Sequence, residues 1–561
     1  MAAKTWFQTT AIDYPNSRPH IGTAFEKLGA DVQARYRRME GYDVFFLMGN
    51  DENTVKVSKR AAELGQDTQA YCNDMARQFR EVWDALDISY STPDGNKGAA
   101  FIQTSSERHK ECCRKFIRKV YDNGYIYKGE YGGWYCEGCE EFKSEKDHKD
   151  NAGLCPNHRT PLTRRSEPCY FFKLSEFQDR LLKYYEENPD FIQPESRRNE
   201  IVSLIETEGL RDVNISRQGE EWGIRIPFDP EFTIYVWFDA LLTYVTGIGY
   251  GDDRATFDKY WPCDTHFIGK DITRFHCALW PAMLWAAGEK PPTRVFAHGF
   301  VYIKDEESGA VEKISKSLGN VVEPMEIIRK FSVDAFRYYF LRECAFPSDG
   351  EFSWSRFAEV YNSELANNLG NLLSRCLTLI TKNYGGVLEG TNGTLPEPIP
   401  GAPSLGDFVK EICGFIEGMV GGREIGPDHS LYDPNVPMLQ NVQQDYCTYN
   451  VALASIMNRL LTPTNQYLEA NAPWKLVKSD KEAAKRVLFN AVRSLRVAAI
   501  LLKPFIPRSA EAIYTSFNFP TPWADVNYAD AAELQPQPDD LRVTATLDEG
   551  GKVKPLFPRI G

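Results

Sequence analysis

No apolar run in this chain approaches the ~18 residues that a membrane-crossing helix needs. Its start, Met1-Ala2-Ala3-Lys4-Thr5-Trp6, lacks the cationic-then-apolar pattern of a secretory leader. Membrane and secreted classes are thereby set aside, and a cytoplasmic protein is the expectation. Positive charge is in deficit too: 65 Lys and Arg against 78 Asp and Glu leave a formal net charge of −13. Indiscriminate polyanion binding, which comes from neutralising phosphates, is excluded. Local basic patches at Arg35, Arg37 and Arg38, at Arg114, Lys115, Arg118 and Lys119, and at Arg159, Arg164 and Arg165 leave a specific nucleic-acid partner open, although solvated helix faces explain most such runs. Thirteen cysteines, an odd number scattered apart from one cluster, make no disulfide framework. There are no internal repeats and no low-complexity tracts. What remains is a 561-residue chain, 42% hydrophobic and 25% charged, too long for one hydrophobic core and therefore built of several domains.

The first informative stretch is Ala11-Ile12-Asp13-Tyr14-Pro15-Asn16-Ser17-Arg18-Pro19-His20-Ile21-Gly22-Thr23. Strand formers precede it at Trp6 to Thr10, and Phe25, Leu28, Gly29, Val32 and Tyr36 follow at helical spacing. His20 and Gly22 then sit at the open N-terminus of a helix, where unpaired N–H groups and the dipole favour an anion. An ordinary strand-to-helix loop is the plainer alternative. Asp43 to Met48 reads as a second buried strand, ending in Gly49-Asn50-Asp51-Glu52-Asn53. Strand, helix, strand with apolar runs is the pattern of a parallel α/β sheet. Asp13, Tyr14, Asn50 and Asp51 would share its carboxyl-end rim, where such sheets bind ligands. Asp51 has a second reading, as the N-cap of a helix starting near Thr54.

From Tyr125 to about Pro227 the texture changes. Cys136-Glu137-Gly138-Cys139 and Cys155-Pro156-Asn157-His158 are two ligand pairs on short loops, the arrangement of a closed tetrahedral Cys3His structural zinc site. Cys112, Cys113 and Cys169 read as packing residues. Phe232 to Phe238 is predicted as a strand, followed by a helix capped at Asp239. Thr265 to Gly269 reads as a strand ending at Lys270 and Asp271, Ile272 to Ala287 as helix, and Val295 to Ile303 as one more strand. The α/β sheet thus resumes after an insertion. In Lys313-Ile314-Ser315-Lys316-Ser317, two lysines three apart among small hydroxyl residues can present cations and O–H donors to a polyphosphate. A surface Lys/Ser loop is the alternative. Beyond Phe357 the pattern is nearly all helical, with helices at 360–383, 405–419, 441–470, 482–502 and 509–517, and a surface tail over the last forty residues.

Taken in order, these features resemble the class I aminoacyl-tRNA synthetases. Tyr235-Val236-Trp237-Phe238-Asp239-Ala240, His266-Phe267-Ile268-Gly269-Lys270-Asp271, the single zinc knuckle and Ala472-Pro473-Trp474 narrow the resemblance to the methionyl-tRNA synthetases, over essentially the whole chain. It implies a Rossmann-like parallel sheet split by a zinc-binding connective insertion and followed by an all-α anticodon-binding bundle. The implied division is 1–124 and 228–292 for the catalytic halves, 125–227 for the insertion, 293–356 for a stem-contact region, 357–520 for the bundle and 521–561 for the tail. The implied reaction joins L-methionine to ATP as methionyl-adenylate, with Mg2+, and then to the 3′ end of tRNA(Met), initiator and elongator. His20, Lys313 and Lys316 carry catalysis by implication. ATP is assigned to His20, Gly22, Thr23, Lys270, Asp271, Lys313, Ser315, Lys316 and Ser317. Methionine is assigned to Ile12, Tyr14, Asp51, Trp237, Ala240, Leu241, Tyr244, Ile272 and His276, a set suited to a thioether in an aromatic-walled pocket. Asn371, Arg375 and Trp474 are assigned to the anticodon. Structural zinc on Cys136, Cys139, Cys155 and His158 and a monomeric, non-membrane protein without an appended dimerising module complete the expectation.

The chain departs from the family pattern at Thr23 and Asn53, where histidines are usual. Both put a neutral group where an imidazole is expected near the phosphates. Two other readings of the scaffold are a class I enzyme for another amino acid, such as leucine or cysteine, and a non-catalytic zinc-containing tRNA-binding protein. The intact Lys313 to Ser317 loop argues against the latter.

Overall fold

The computed structural model describes residues 4–136, 141–143, 145–156, 159–314, 319–391, 412–414, 416, 418–421, 447–532, 538–545 and 554–560. Its centre is a six-stranded sheet made of β1 (Thr5–Thr10), β2 (Asp43–Asn50), β3 (Phe101–Gln103), β4 (Ile192–Gln193), β5 (Thr265–Gly269) and β6 (Val295–His298). The order across it is β3-β2-β1-β5-β6-β4, and every neighbouring pair is parallel. Apolar strands covered on both faces by helices are what a parallel sheet requires, and seven of the eight residues of β2 are buried. The strand order reverses direction at β1, so the crevice beyond its carboxyl end is the natural ligand site.

Helix α1 (Ile21–Met39) follows β1 directly. The rim is tied together by Asp13 N–H donating to the Gly49 carbonyl (3.0 Å) and Asp51 N–H donating to the Asp13 carbonyl (2.9 Å). Gly49 permits this approach, because a Cβ there would run into the Ile102 carbonyl and press on Ile12.

Between β3 and β5 lies separate antiparallel structure, chiefly Ile126–Cys136 paired with Thr163–Phe172. Cys136, Cys155, Leu162 and Trp134 form a small cluster apart from the main core. The same stretch also returns β4 to the edge of the central sheet. Among the described residues no helix is long and apolar enough to cross a membrane.

Beyond Trp354 the described residues are mostly helical and pack onto α1. Tyr449 donates its hydroxyl to the Gly29 carbonyl (2.7 Å). The fully buried Arg337 reaches Asp31 (2.6 Å) and the carbonyls of Pro504 (3.0 Å) and Phe505 (2.7 Å), joining the bundle to the helix that begins at the opening turn.

Several expectations are corrected. The strand expected over Phe232 to Phe238 ends at Ile234, and Val236–Ala240 is helical, so Asp239 lies inside that helix and not at its cap. The ladder partner Ser216 ends there, and Phe238 gains more by packing its ring on Phe116 and Phe172. Asp51 is not a helix cap either; Thr54 caps Val55–Glu63. The strand expected over Val295 to Ile303 is two, β6 and Val301–Lys304 in another sheet. The break is at Gly299, where a side chain would strike the Ser348 carbonyl. The tail is built into the fold and not laid on its surface: Leu541 is buried on a strand pair with Val387–Leu388, and Phe557 packs edge-on against Tyr361. The helix expected over 405–419 falls largely outside the described residues.

Candidate active site

His20 caps α1, its Nδ1 accepting the Thr23 backbone N–H at 3.3 Å. An accepting Nδ1 bears no proton, so in the neutral ring Nε2 is the N–H donor. Thr23 therefore reaches His20 mainly through its backbone, with its hydroxyl 3.4 Å from the same nitrogen.

Across from the turn comes the other signature loop. Ile21 N–H donates to the Val322 carbonyl (3.0 Å), and a Cβ on Gly22 would sit 3.3 Å from the Ile314 side chain. The structure thus brings together segments about 290 residues apart in sequence. Lys313 ends the strand Val311–Lys313, and its ammonium lies 5.0 Å from the centre of the Phe300 ring. Lys270, at the end of β5, lies 4.9 Å from the same ring and pairs with Asp349 at 2.6 Å. Ser315, Lys316 and Ser317 lie outside the described residues.

All nine side chains expected around methionine line one pocket, with Ala11 as the tenth. Tyr14 meets Trp237 edge to face at 6.4 Å, and Trp237 stacks on Phe275 at 3.9 Å with the planes 2° apart. At the inner end Tyr244 and His276 are joined at 2.7 Å. The Ile272 carbonyl accepts from His276 Nδ1 (3.1 Å), so Nε2 carries no proton and Tyr244 is the donor. Burial holds His276 neutral, pushing it down to about 4.

The only charged group among the lining side chains is Asp51. It is buried, and one carboxylate oxygen has no hydrogen-bond partner among the described residues. Burial first, then the carboxylates of Asp239 and Glu52, push its pKa well above the usual carboxylate range. Such a group is short of one cation.

The expectation for Asn53 is corrected. Its amide is not presented to the phosphate side but buried, donating to Asp239 Oδ2 and to the Thr104 carbonyl, both at 2.9 Å. An amide serves there because two acceptors face one NH2 group.

Below the opening turn is a charged network that sequence reading missed. Lys27 is buried and donates to the Ala11 carbonyl (3.0 Å), Asp13 (3.0 Å) and Glu26 (2.7 Å), using all three of its N–H bonds. His298, at the end of β6, meets Glu26 at 2.9 Å. Burial, only partly offset by Lys27, pushes Asp13 up to about 6. Lys27→Met strands two buried carboxylates, and urea unfolding is expected to show a loss of about 3 kcal/mol. A loss below about 1 kcal/mol, the range of an exposed pair, would show the network to be solvated. Lys27 sits beside Glu26 on a helix face that pattern reading takes as solvated, so no local signal reveals it. Phe275, Phe300 and Asp349 were likewise invisible, because their partners are distant in sequence.

In the helical domain Asn371 and Arg375 lie one turn apart on Asn371–Tyr384, and the Arg375 guanidinium is 4.8 Å from the Trp474 ring. Arg375 also pairs with Glu469 at 2.8 Å. Of the zinc-motif residues, Cys136 and Cys155 are buried in the small separate cluster, while Cys139 and His158 lie outside the described residues. Among the described residues no group of three or more potential ligands is placed to hold a metal.

Comparison with known proteins gives the family. The model for tRNA synthetases class I (M) matches residues 6–169 and 157–377, and that for the anticodon binding domain of methionyl tRNA ligase matches 438–547. This chain belongs to the methionyl-tRNA synthetase family. A methionine--tRNA ligase from Caldanaerobacter subterraneus is 39% identical, covering 99% of this chain and 79% of its own. One from Nostoc sp. is 36% identical, covering 100% and 98%. A solved Mycobacterium tuberculosis methionyl-tRNA synthetase in complex with methionyl-adenylate has a TM-score of 0.79 at 34% identity over 99% of this chain and 100% of that one. The free-state structure of the enzyme from that organism has a TM-score of 0.75 at 32% identity, over 100% and 99%. Membership in the methionyl-tRNA synthetase family accounts for the parallel sheet and the helical C-terminal region together.

Proposed function

We propose that this chain is a methionine--tRNA ligase that activates L-methionine with ATP and transfers it to tRNA(Met). The observation that carries the reading is a pocket whose aromatic and aliphatic walls meet one cation-deficient carboxylate, Asp51. An amino acid with an uncharged, polarisable side chain and an ammonium group matches both features.

In this reading Asp51 takes the methionine ammonium. Tyr14, Trp237, Ala240, Leu241, Tyr244, Ile272 and His276 enclose the thioether, with Ile12 at the backbone edge. The methionine carboxylate then attacks the α-phosphorus of Mg-ATP; the bond to pyrophosphate breaks, giving methionyl-adenylate. His20 Nε2–H, the N-terminus of α1 at Gly22 and Thr23, and Lys270, Lys313 and Lys316, with Asp271, Ser315 and Ser317 beside them, meet the nucleotide and polyphosphate. Their work is positioning and neutralisation of charge that grows in the transition state. A terminal ribose hydroxyl of tRNA next attacks the acyl carbon and releases AMP. No covalent enzyme intermediate is required. Stacking of Arg375 on Trp474, with Asn371 on the same face, supports a platform for splayed anticodon bases.

Zinc fits the insertion in chemistry, since two thiols are already gathered in a cluster of their own with Trp134. Cys136, Cys139, Cys155 and His158 would hold it, and the ion would supply a structural crosslink with no open position. One zinc per chain is expected by atomic absorption. Removal by chelator is expected to lower the unfolding temperature of the insertion; zinc below about 0.2 per chain in protein purified without chelator refutes a dedicated site.

Methionine-dependent ATP–pyrophosphate exchange tests the reading as a whole. Exchange with methionine and not with leucine or cysteine is the expected result. Tight binding of tRNA(Met) without exchange would favour a non-catalytic binder instead.

A further inference from the structure

Directly behind the pocket wall lies a buried ring that touches no ligand space. His266, on β5, is fully buried and does not line the pocket. The Trp280 indole N–H, which can only donate, lies 3.2 Å from His266 Nε2. Nε2 therefore carries no proton, and the ring proton sits on Nδ1, 2.7 Å from the Thr9 hydroxyl. Thr9 and His266 are also partners in register across β1 and β5, so one end of the ring is tied to the rigid centre of the sheet. Burial, with His276 nearby, holds the imidazole neutral.

The ring faces Tyr244, the two centroids 4.4 Å apart with planes 33° from parallel. Trp280 meets Tyr244 edge to face at 6.0 Å and 68°, on a flank next to His266. Tyr244 is thus constrained twice: its hydroxyl by His276 and its ring plane by His266. For a side chain without charge, selectivity rests on wall spacing, where about one methylene is worth roughly 10- to 200-fold.

We propose that His266 is a positioning residue: held as the Nδ1–H tautomer between Thr9 and Trp280, it fixes the Tyr244 wall and so the width of the thioether pocket. The proposal rests on the reading of that pocket as the methionine site.

The test uses the full chain. His266→Phe keeps a ring against Tyr244 but removes the hydrogen bonds to Thr9 and Trp280 and the longer Nδ1 contact with Cys263 Sγ at 3.6 Å. In pyrophosphate exchange its KM for methionine is expected to rise about tenfold, while its KM for ATP stays within about twofold. Trp280→Phe, which removes the N–H that selects the tautomer together with part of the buried ring beside Tyr244, is expected to raise the methionine KM about threefold with the same split, and it carries the test if His266→Phe fails to fold. Independently of activity, 15N NMR of the native protein is expected to show both His266 and His276, among its eight histidines, with the proton on Nδ1 and no titration between about pH 5 and 8, the His266 signals being those absent from His266→Phe. A proton on Nε2 of His266, an unchanged methionine KM, or methionine and ATP KM rising together overturns the proposal. Native protein without methionine-dependent exchange overturns the methionine reading and the proposal with it; native exchange with an unaltered variant overturns the proposal alone.

Discussion

Asp51→Asn is expected to lower methionine-dependent pyrophosphate exchange about a thousandfold, the equivalent of about 4 kcal/mol, because it leaves a buried ammonium without its only counter-charge. The fold is expected to tolerate the change. In the free protein Asp51 is a desolvated acid beside Asp239 and Glu52, with a carboxylate oxygen lacking any partner among the described residues. An amide of the same shape removes that repulsion, so the urea midpoint is expected to stay level or rise. The pH dependence carries the sign of the same argument. A raised pKa means that the carboxyl holds a proton at low pH, and only the ionised form attracts the ammonium. The methionine KM is therefore expected to fall as pH rises through the pKa of the free protein and then to level off, and the Asn variant is expected to show no such slope. Exchange within tenfold of the native rate would remove Asp51 from the ammonium site.

His20→Asn is expected to slow adenylate formation by a factor of about 100 to 1,000, the cost of losing one preorganised donor to developing charge. Asparagine is a good N-cap, so its side chain can still accept the Thr23 N–H that His20 accepts at 3.3 Å. What it cannot supply is the Nε2–H that the capping bond directs away from the helix. Stability and rate are thereby separated: thermal unfolding near the native value with slow single-turnover chemistry is the expected pair. His20→Ala should show the same slow chemistry plus a cap loss of about 1 kcal/mol. A His20→Asn enzyme with native single-turnover rate would reduce His20 to a cap. Thr23, where the family pattern carries histidine, already uses its backbone for this cap, so its side chain is not needed to hold the turn.

Much of the site was legible because its residues sit at places where chain geometry is local. His20 and Gly22 follow a strand and open a helix; Asp51 directly follows β2, and Lys270 directly follows β5. Strand ends of a parallel sheet converge on one rim, so naming the strands nearly names the site. The errors fell where long-range contacts override local preference. Phe232 to Phe238 has the composition of a strand, yet the run turns helical at Val236 once its ladder partner Ser216 is exhausted. Val295 to Ile303 breaks at Gly299 because Ser348, about fifty residues on, occupies the space of a side chain. The insertion was visible through cysteine spacing, whereas its loan of β4 to the central sheet was not, since two residues of strand carry no periodicity.

The sequence by itself determined the chemistry available: an anion-binding turn, a lysine loop, an apolar and aromatic set fit for a thioether, and a lone acid. Those are properties of residue types at short spacing. Only the tertiary structure decided their state. Asp51 is an ordinary carboxylate until the chain sets Asp239 beside it; Lys27 is a surface-like lysine until Asp13 and Glu26 enclose it; and the protons of His20, His266 and His276 are placed by Thr23, Trp280 and Ile272. The physical reason is common to all of them. Desolvation and hydrogen-bond direction depend on what surrounds an atom in space, and even partners only a few residues away, such as Thr23 and Ile272, are fixed in direction only when the fold is complete.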